Sequence, residues 1–341
     1  MVLRRLSQAG AGSFSDRRQS ARCMKASLSS LIPQSTATRY AVSAGFIFAL
    51  LFLCMSATLS TARTAVRKTS VAVLDFGETE TGRRAADRVW QTLRSSDGLE
   101  LSDREEARAA ARGSGYAGSL NMTLAEAREL GATIGADFFI TGDAQTLRRS
   151  PSEGDVYFEA YASIFLVSSR TGRLIMWERP SFQASTPEAA TERLMKELAG
   201  LDVRQRYSVA IARALEDEMR MRALAVGRTA PLIEEAPDDA KAASAEGLRL
   251  PLPYRRLRPP YPETARRAEA QATVDVEADI GADGEVSRVE VVRWAGFGLD
   301  EATADTVRQM HFRPAMRKGE AIPMRVLLRY NFRKPPVESN K

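Results

Sequence analysis

Residues 259–332 read PPYPETARRAEAQATVDVEADIGADGEVSRVEVVRWAGFGLDEATADTVRQMHFRPAMRKGEAIPMRVLLRYNF. Within them Val274, Val276, Ala278 and Ile280 alternate with Thr273, Asp275, Glu277 and Asp279. One apolar and one charged face at period two mark a half-buried strand. Asp283-Gly284 follows, a pair suited to a two-residue type I′ turn, whose central positions both need positive φ. Val286, Val289 and Val291 carry a second strand as far as Trp294. After a Gly-rich break, Leu299, Ala302, Thr303, Thr306, Val307 and Met310 recur at helical spacing. A last strand alternates Ile322, Met324, Val326, Leu328, Tyr330 and Phe332 with Pro323, Arg325, Leu327, Arg329 and Asn331. Pro323 has no N–H for a ladder, which places that strand at a sheet edge. The segment predicts a short helix, a β-hairpin, a helix and a strand. It holds no constellation able to do chemistry, so it reads as a surface for holding another chain.

These positions resemble the C-terminal domain of the TonB family. The matching residues are Tyr261 and Pro262 before the first helix, Asp283 and Gly284 in the hairpin, and Leu299 and Asp300 opening the second helix. Phe312, Arg313, Pro314 and Ala315 close that helix, and the alternating last strand completes the match. Two departures are visible: Ala272 stands where the family usually has Gly, and Met310-His311 replaces its usual Trp-bearing pair. The resemblance implies β-strand addition, in which an edge strand takes a short peptide of an outer-membrane receptor plug. The strand so implicated is Met324, Arg325, Val326, Leu327, Leu328, Arg329, Tyr330, Asn331 and Phe332. Arg325 and Arg329 lie on its face away from the core, where they either select a partner or merely keep an edge soluble. Implied partners are TonB-dependent outer-membrane receptors, with the proton-driven ExbB–ExbD motor and a homodimer as further candidates.

The other end of the chain suits such a role. Residues 40–62 carry no charge, and AVSAGFIFALLFLCMSATL at their heart is long enough for a transmembrane helix. Residues 1–39 hold Arg4, Arg5, Arg17, Arg18, Arg22, Lys25 and Arg39 against Asp16 alone, a balance of +6 that equals the formal charge of the whole chain. That asymmetry predicts a cytoplasmic basic arm, an inner-membrane anchor and a periplasmic bulk. It is a topology signal rather than a nucleic-acid patch. A secretory signal peptide cleaved near Ser60-Thr61-Ala62 is the rival reading; lipidation at Cys54 is disfavoured because Leu51-Phe52-Leu53 lacks small residues. Cys23 and Cys54 lie before and inside the apolar run, so the exported part needs no disulfide.

Between these ends, residues 68–226 predict an α/β domain. Ser70 to Gly77 is an apolar run ending at Gly, as a buried strand does. Ala86, Val89, Trp90 and Leu93 mark a helix over 83–94, Leu99 to Ser102 a short strand, and Asp103 a helix cap. Thr123 with Glu126 forms a capping-box signature. Asp137 to Gly142 gives a third strand, and two long strands span 156–168 and 173–182 before helices after Pro187 and Asp202. The pieces VAVLDFG, ELGATIGADFFITGD and SIFLVSSRTGRLIMWER are similar to TolB N-terminal and CsgG-like envelope domains, a resemblance implying protein contact. Residues 227–253 are rich in Ala, Pro and acid without periodicity, so they read as a flexible linker to a domain at 254–335. Fully extended, that linker reaches at most roughly 90–100 Å.

Chemistry is thinly represented. Asp75, Asp137 and Asp143 lie at strand ends, where carboxylates serve catalysis or simply cap turns. No phosphate-cradling loop, histidine cluster or nucleophile elbow accompanies them. His311, the sole histidine, reads as a helix C-terminal partner or core-edge residue. No enzyme, cofactor or metal site is expected. Trp90, Trp177 and Trp294 read as separate core residues. TonB anchors usually carry a histidine for motor coupling, whereas residues 40–62 offer only Ser43, Ser56 and Thr58. Two functions stay open: an energy transducer between the membranes, and a non-energised envelope scaffold binding proteins through both soluble domains.

Overall fold

Val71, Ala72 and Val73 are almost wholly buried, and the strand they form is flanked on both edges. The computed structural model describes residues 67–226, 233–237, 244 and 247–334. The basic arm and the apolar run of 40–62 lie outside the described residues. Among the described residues no helix is long and apolar enough to cross a membrane. Strand β1 (Thr69–Val73) leads into helix α1 (Glu80–Arg94), capped by the Thr79 hydroxyl on the Gly82 N–H. Strand β2 (Leu99–Leu101) and helix α2 (Arg104–Gly113) follow, the Asp103 carboxylate accepting from the N–H groups of Glu105 and Glu106. Helix α3 (Leu124–Ile134) carries both halves of the Thr123–Glu126 capping box. Strands β3 (Phe138–Arg149) and β4 (Tyr157–Ser168) form a long antiparallel pair, with β5 (Leu174–Glu178) and β6 (Ser181–Ala184) on the far side of β4. The sheet order is β2-β1-β3-β4-β5, with β1 parallel to both neighbours. Being covered on both faces, β1 shows an unbroken apolar run rather than alternation.

One expected strand over 173–182 is two. Pro180 interrupts it, and its carbonyl accepts from the Ala162 N–H between the two short pieces; a proline cannot continue the ladder. Helices α4 (Pro187–Leu198) and α5 (Leu201–Ala225) pack on this sheet, α5 burying Val203, Tyr207, Ile211 and Ala214.

The remaining residues build a second main sheet and two small ones. Short strands β7 (Glu234–Glu235), β8 (Leu248–Arg249) and β9 (Leu252–Pro253) precede helix α6 (Glu263–Ala268). Then come β10 (Ala272–Ile280), β11 (Val286–Arg293), helix α7 (Leu299–Arg308), β12 (Phe312–Arg313), β13 (Ala315–Arg317), β14 (Glu320–Ile322) and β15 (Met324–Phe332). The main order is β11-β10-β15-β7. The stretch expected to be a free linker therefore contributes pairing strands: β7 joins β15, β8 joins β13 and β9 joins β12.

The hairpin departs from the expected turn. The Gly284 N–H donates to the Gly281 carbonyl at 2.9 Å, and the Gly281 N–H to Glu285 at 2.8 Å. Only Gly284 takes positive φ, at 86°, so the connection is a longer turn closed by one left-handed residue. A β-carbon on Gly284 would lie 2.0 Å from the Phe312 carbonyl. That close approach, not twin left-handed residues, is what requires glycine.

The two sheets meet at Trp294, inside the compact unit formed by Val66–Lys341. Trp294 is 2% exposed and sits in the core formed with Met122, Leu130, Phe139 and Phe165 of the middle region. Its ring stacks on Phe165 at 6.0 Å, its indole N–H donates to the Gly172 carbonyl at 2.9 Å, and its backbone N–H donates to Met122 at 3.1 Å. Phe297 stands edge-on to Phe165 and 5.5 Å from Trp177, so Trp177 and Trp294 belong to one aromatic cluster rather than separate cores. The Asn121 amide completes the seam by donating to the carbonyls of Thr273 and Trp294 and accepting from the Thr273 N–H.

Trp294→Ala should cost about 3–5 kcal/mol, the range for emptying a buried aromatic site. Because it opens the seam, calorimetry should then resolve two unfolding transitions, against one expected for the unsubstituted protein. A single, merely lowered transition would show that the halves do not depend on this residue for coupling.

Candidate functional site

Strand β15 pairs with β10 along its whole length, from Met324↔Ile280 to Phe332↔Ala272. On the inner face Val326, Leu328, Tyr330 and Phe332 pack on the core of Val274, Val276, Ala278 and Val307. On its other edge β15 meets only β7, in parallel, at Met324↔Glu234 and Arg325↔Glu235. Beyond Arg325 no strand lies beside it among the described residues.

One hydrogen bond fixes which way this border faces. The Ala236 N–H donates to the Arg325 carbonyl at 2.8 Å, so Arg325 turns its main-chain groups away from β10. A strand alternates its backbone direction residue by residue, so Leu327, Arg329 and Asn331 present their N–H and C=O groups on that same open side. Met324, Val326, Leu328, Tyr330 and Phe332 spend theirs on β10. The site residues thus separate into a core-facing set and an edge-presenting set, a division the sequence pattern alone does not make. Leu327, at 55% exposed, is the apolar side chain at the middle of the border.

Arg325 and Arg329 are not free to grasp a partner's carboxylate. Arg325 forks onto Asp279 at 2.6 and 3.0 Å, and Arg329 onto Asp275 at 2.7 and 3.0 Å. Each pair lies directly across the β10–β15 ladder. In an antiparallel ladder the residues facing without mutual hydrogen bonds bring their side chains closest, and the outward turn of Arg325 puts both pairs in that class. Asp275 and Asp279 are 3% and 4% exposed. Hydrogen bonding to these carboxylates raises both arginines further above their ordinary value. Arg293 also reaches Asp275 at 3.3 Å, and Arg288 lies 3.8 Å from Asp279. The arginines hold buried acids and set the register, which is neither partner selection nor simple edge solubility.

The other family-motif residues support this border from below. The Tyr261 hydroxyl donates to the Ala270 carbonyl at 2.5 Å, and its ring lies 6.2 Å from Phe332. Pro262 precedes α6, Leu299 is fully buried, Phe312 is 1% exposed, and Pro314 packs near Gly284. Asp300 accepts from the N–H groups of Ala295 and Gly296, both at 2.8 Å, and so fixes the chain just after Trp294. Burial pushes its carboxyl up to about 7 despite those two donors.

The strand-end carboxylates are dispersed. Asp75 pairs with Arg104 and Arg108, Asp137 accepts from the Ser70 N–H and hydroxyl, and Asp143 accepts from Tyr161 and Gln145. His311 is exposed and meets Glu285 at 2.9 Å, so it is neither a helix-end partner nor a core-edge residue.

Residues 258–333 match the family described as Gram-negative bacterial TonB protein C-terminal. The match spans helix α6 through strand β15, less than a quarter of the chain. The chain is similar to the solution structure of the TonB C-terminal domain of Pseudomonas aeruginosa at 19% identity and a TM-score of 0.22, over 28% of this chain and 91% of that one. It is also similar to the hypothetical protein CT253 of Chlamydia trachomatis at 16% identity and a TM-score of 0.29, over 39% and 94%. Lipoprotein GNA1162 of Neisseria meningitidis is similar at 12% identity and a TM-score of 0.26, over 44% and 99%. No curated protein matches the chain. The likeness of residues 69–200 to TolB N-terminal and CsgG-like domains rests on its sequence motifs alone.

Arg325→Ala should strip the fork from a buried carboxylate and cost about 2–4 kcal/mol in urea unfolding, with Arg325→Lys intermediate because it keeps charge without the fork. No change on Arg325→Ala would show that Asp279 does not need it. The Asp300 carboxyl should also leave a pH signature. Its folded pKa lies above the ordinary value of 3.8, so its contribution is complete below about 4 and is lost as pH rises through about 7. Stability should therefore fall as pH rises from about 4 to about 7 and level off above that. The fall should shrink in Asp300→Asn; an unchanged slope would place the titrating group elsewhere.

Proposed function

We propose that the TonB C-terminal domain takes an extended peptide of an outer-membrane transport receptor onto the open border of β15, making this protein a TonB-like link between the two membranes. The observation that carries this reading is the outward turn of Arg325, which leaves Leu327, Arg329 and Asn331 presenting ladder donors and acceptors on one side. Strand addition needs only such a border; main-chain bonds supply affinity and side chains such as Leu327 supply selection. The uncharged run of 40–62 behind a strongly basic arm supports an inner-membrane anchor with the bulk in the periplasm. Reaction chemistry has no part in the proposal.

Strand β7 already occupies the first rung of the border, held by the Ala236–Arg325 bond and by a Glu234–Arg317 ion pair. It shows that this border accepts a parallel strand. It also limits an incoming peptide to Leu327 and beyond.

The seam at Trp294 favours a second reading alongside the first. A domain docked on the middle region holds its peptide at a fixed place, as a non-energised scaffold would, whereas a pulled transducer needs free reach. Energised action in turn implies coupling to a proton-driven motor such as ExbB–ExbD. Collapsing the proton gradient separates the two, since receptor-dependent uptake stops only for the transducer.

Leu327→Pro removes an outward N–H at a place where an edge strand tolerates proline. Receptor-plug peptide should bind roughly 10-fold more weakly, the loss of one ladder bond worth about 1–1.5 kcal/mol, with the melting temperature little changed. Val326→Pro instead breaks the β10 ladder and should destabilise the fold itself. Ala236→Pro, which frees the first rung, should tighten binding. Full affinity in Leu327→Pro would remove β15 as the site.

A further inference from the structure

The six-stranded sheet has an open border of its own. β5 ends that sheet, and nothing pairs with its outer side among the described residues. Leu174, Ile175 and Met176 all line one groove of about 1160 Å³. A register irregularity in β5 sets Ile175 and Met176 against one core and Leu174 against the other. Since both faces reach the same space, the groove runs along the main-chain border itself. Val209 and Met221 of α5 and Glu290 of β11 also line it. A space of about 480 Å³ continues between β5 and β11, which is the end strand of the second sheet. Ordinary small-molecule pockets hold roughly 300–1000 Å³. A longer, open groove beside an unpaired strand suits an extended peptide better.

Charge narrows the kind of peptide. Arg170, Arg173 and Arg206 are committed to Glu218, Glu290 and Glu178. Asp217 lies 3.7 Å from Arg220, and Asp202 sits in the first turn of α5, where a helix N-terminus favours an acid. Arg128 and Arg213, both exposed and both on the groove, have no ion-pair partner among the described residues. Exposed Met221 adds apolar surface beside them.

We infer that this groove is a second strand-addition site, taking an extended acidic peptide whose apolar side chains rest on Leu174, Met176 and Met221 and whose carboxylates meet Arg128 and Arg213. The site lies apart from β15, so it stands whether or not β15 binds a receptor. The protein would then hold two extended segments at once, one on each sheet.

The probe is a synthetic hexapeptide of alternating glutamate and valine, added to the full-length protein and followed by hydrogen–deuterium exchange. Exchange across 173–178 should slow on saturation, and a lysine–valine hexapeptide should not reproduce it. The double variant Arg128→Glu, Arg213→Glu should bind the acidic peptide at least about 10-fold more weakly, because both contacts become repulsive. These exposed positions leave the core untouched, so unaltered exchange elsewhere reports an intact fold. Absence of protection at 173–178, equal protection by the lysine peptide, or full affinity in the double variant would each overturn the proposal. Protection confined to 324–332 would overturn it too, while supporting the β15 site.

Discussion

A slip of one residue between β10 and β15 would turn Val326, Leu328 and Tyr330 onto the charged face and drive Arg325 and Arg329 toward the core. The nine aligned pairs prevent this from both sides of the sheet. Apolar side chains fill one face, and on the other each arginine fork meets a nearly buried aspartate. An uncompensated carboxylate at that depth is costly, so the register with the forks formed is strongly preferred. That register also decides which main-chain groups of β15 face outward. The candidate binding border is thus a consequence of side-chain pairing across the β10–β15 ladder.

The second constraint is the seam around Trp294. A bulky indole with its N–H satisfied by Gly172 and its ring against Phe165 ties the C-terminal sheet to the middle region. Asn121 adds three hydrogen bonds across the same boundary. While this seam holds, the length of residues 227–253 adds no reach, and parts of it pair as strands with the domain they were expected merely to tether. The β15 border is thereby held at a defined position relative to the middle region, which bears directly on whether a partner is pulled or held.

Much of the C-terminal domain was legible in the chain. Period-two alternation located β10 and β15 because each has one buried face, and in the middle region Asp103 and Thr123 cap helices as expected. Other features were hidden for physical reasons. Trp294 looks like a residue of its own strand, and nothing nearby in sequence reveals that its neighbours are Phe165 and Gly172. The 281–285 turn misled because Asp-Gly also serves longer turns, where only the glycine is left-handed. The short strands β7 to β9 have no periodicity, since two residues of pairing need none. The border of β5 was concealed within an expected longer strand that Pro180 divides.

Sequence by itself determined the local elements and the family resemblance of residues 258–333, because periodicity, capping and turn chemistry act over a few residues. Only the tertiary structure decided that Arg325 and Arg329 serve buried acids, that Leu327, Arg329 and Asn331 present the open border, and that both sheets share one core at Trp294. Those outcomes depend on partners 46 to 54 positions away for the forks, and 122 for the indole. Contacts at that separation exist only once the chain has closed on itself.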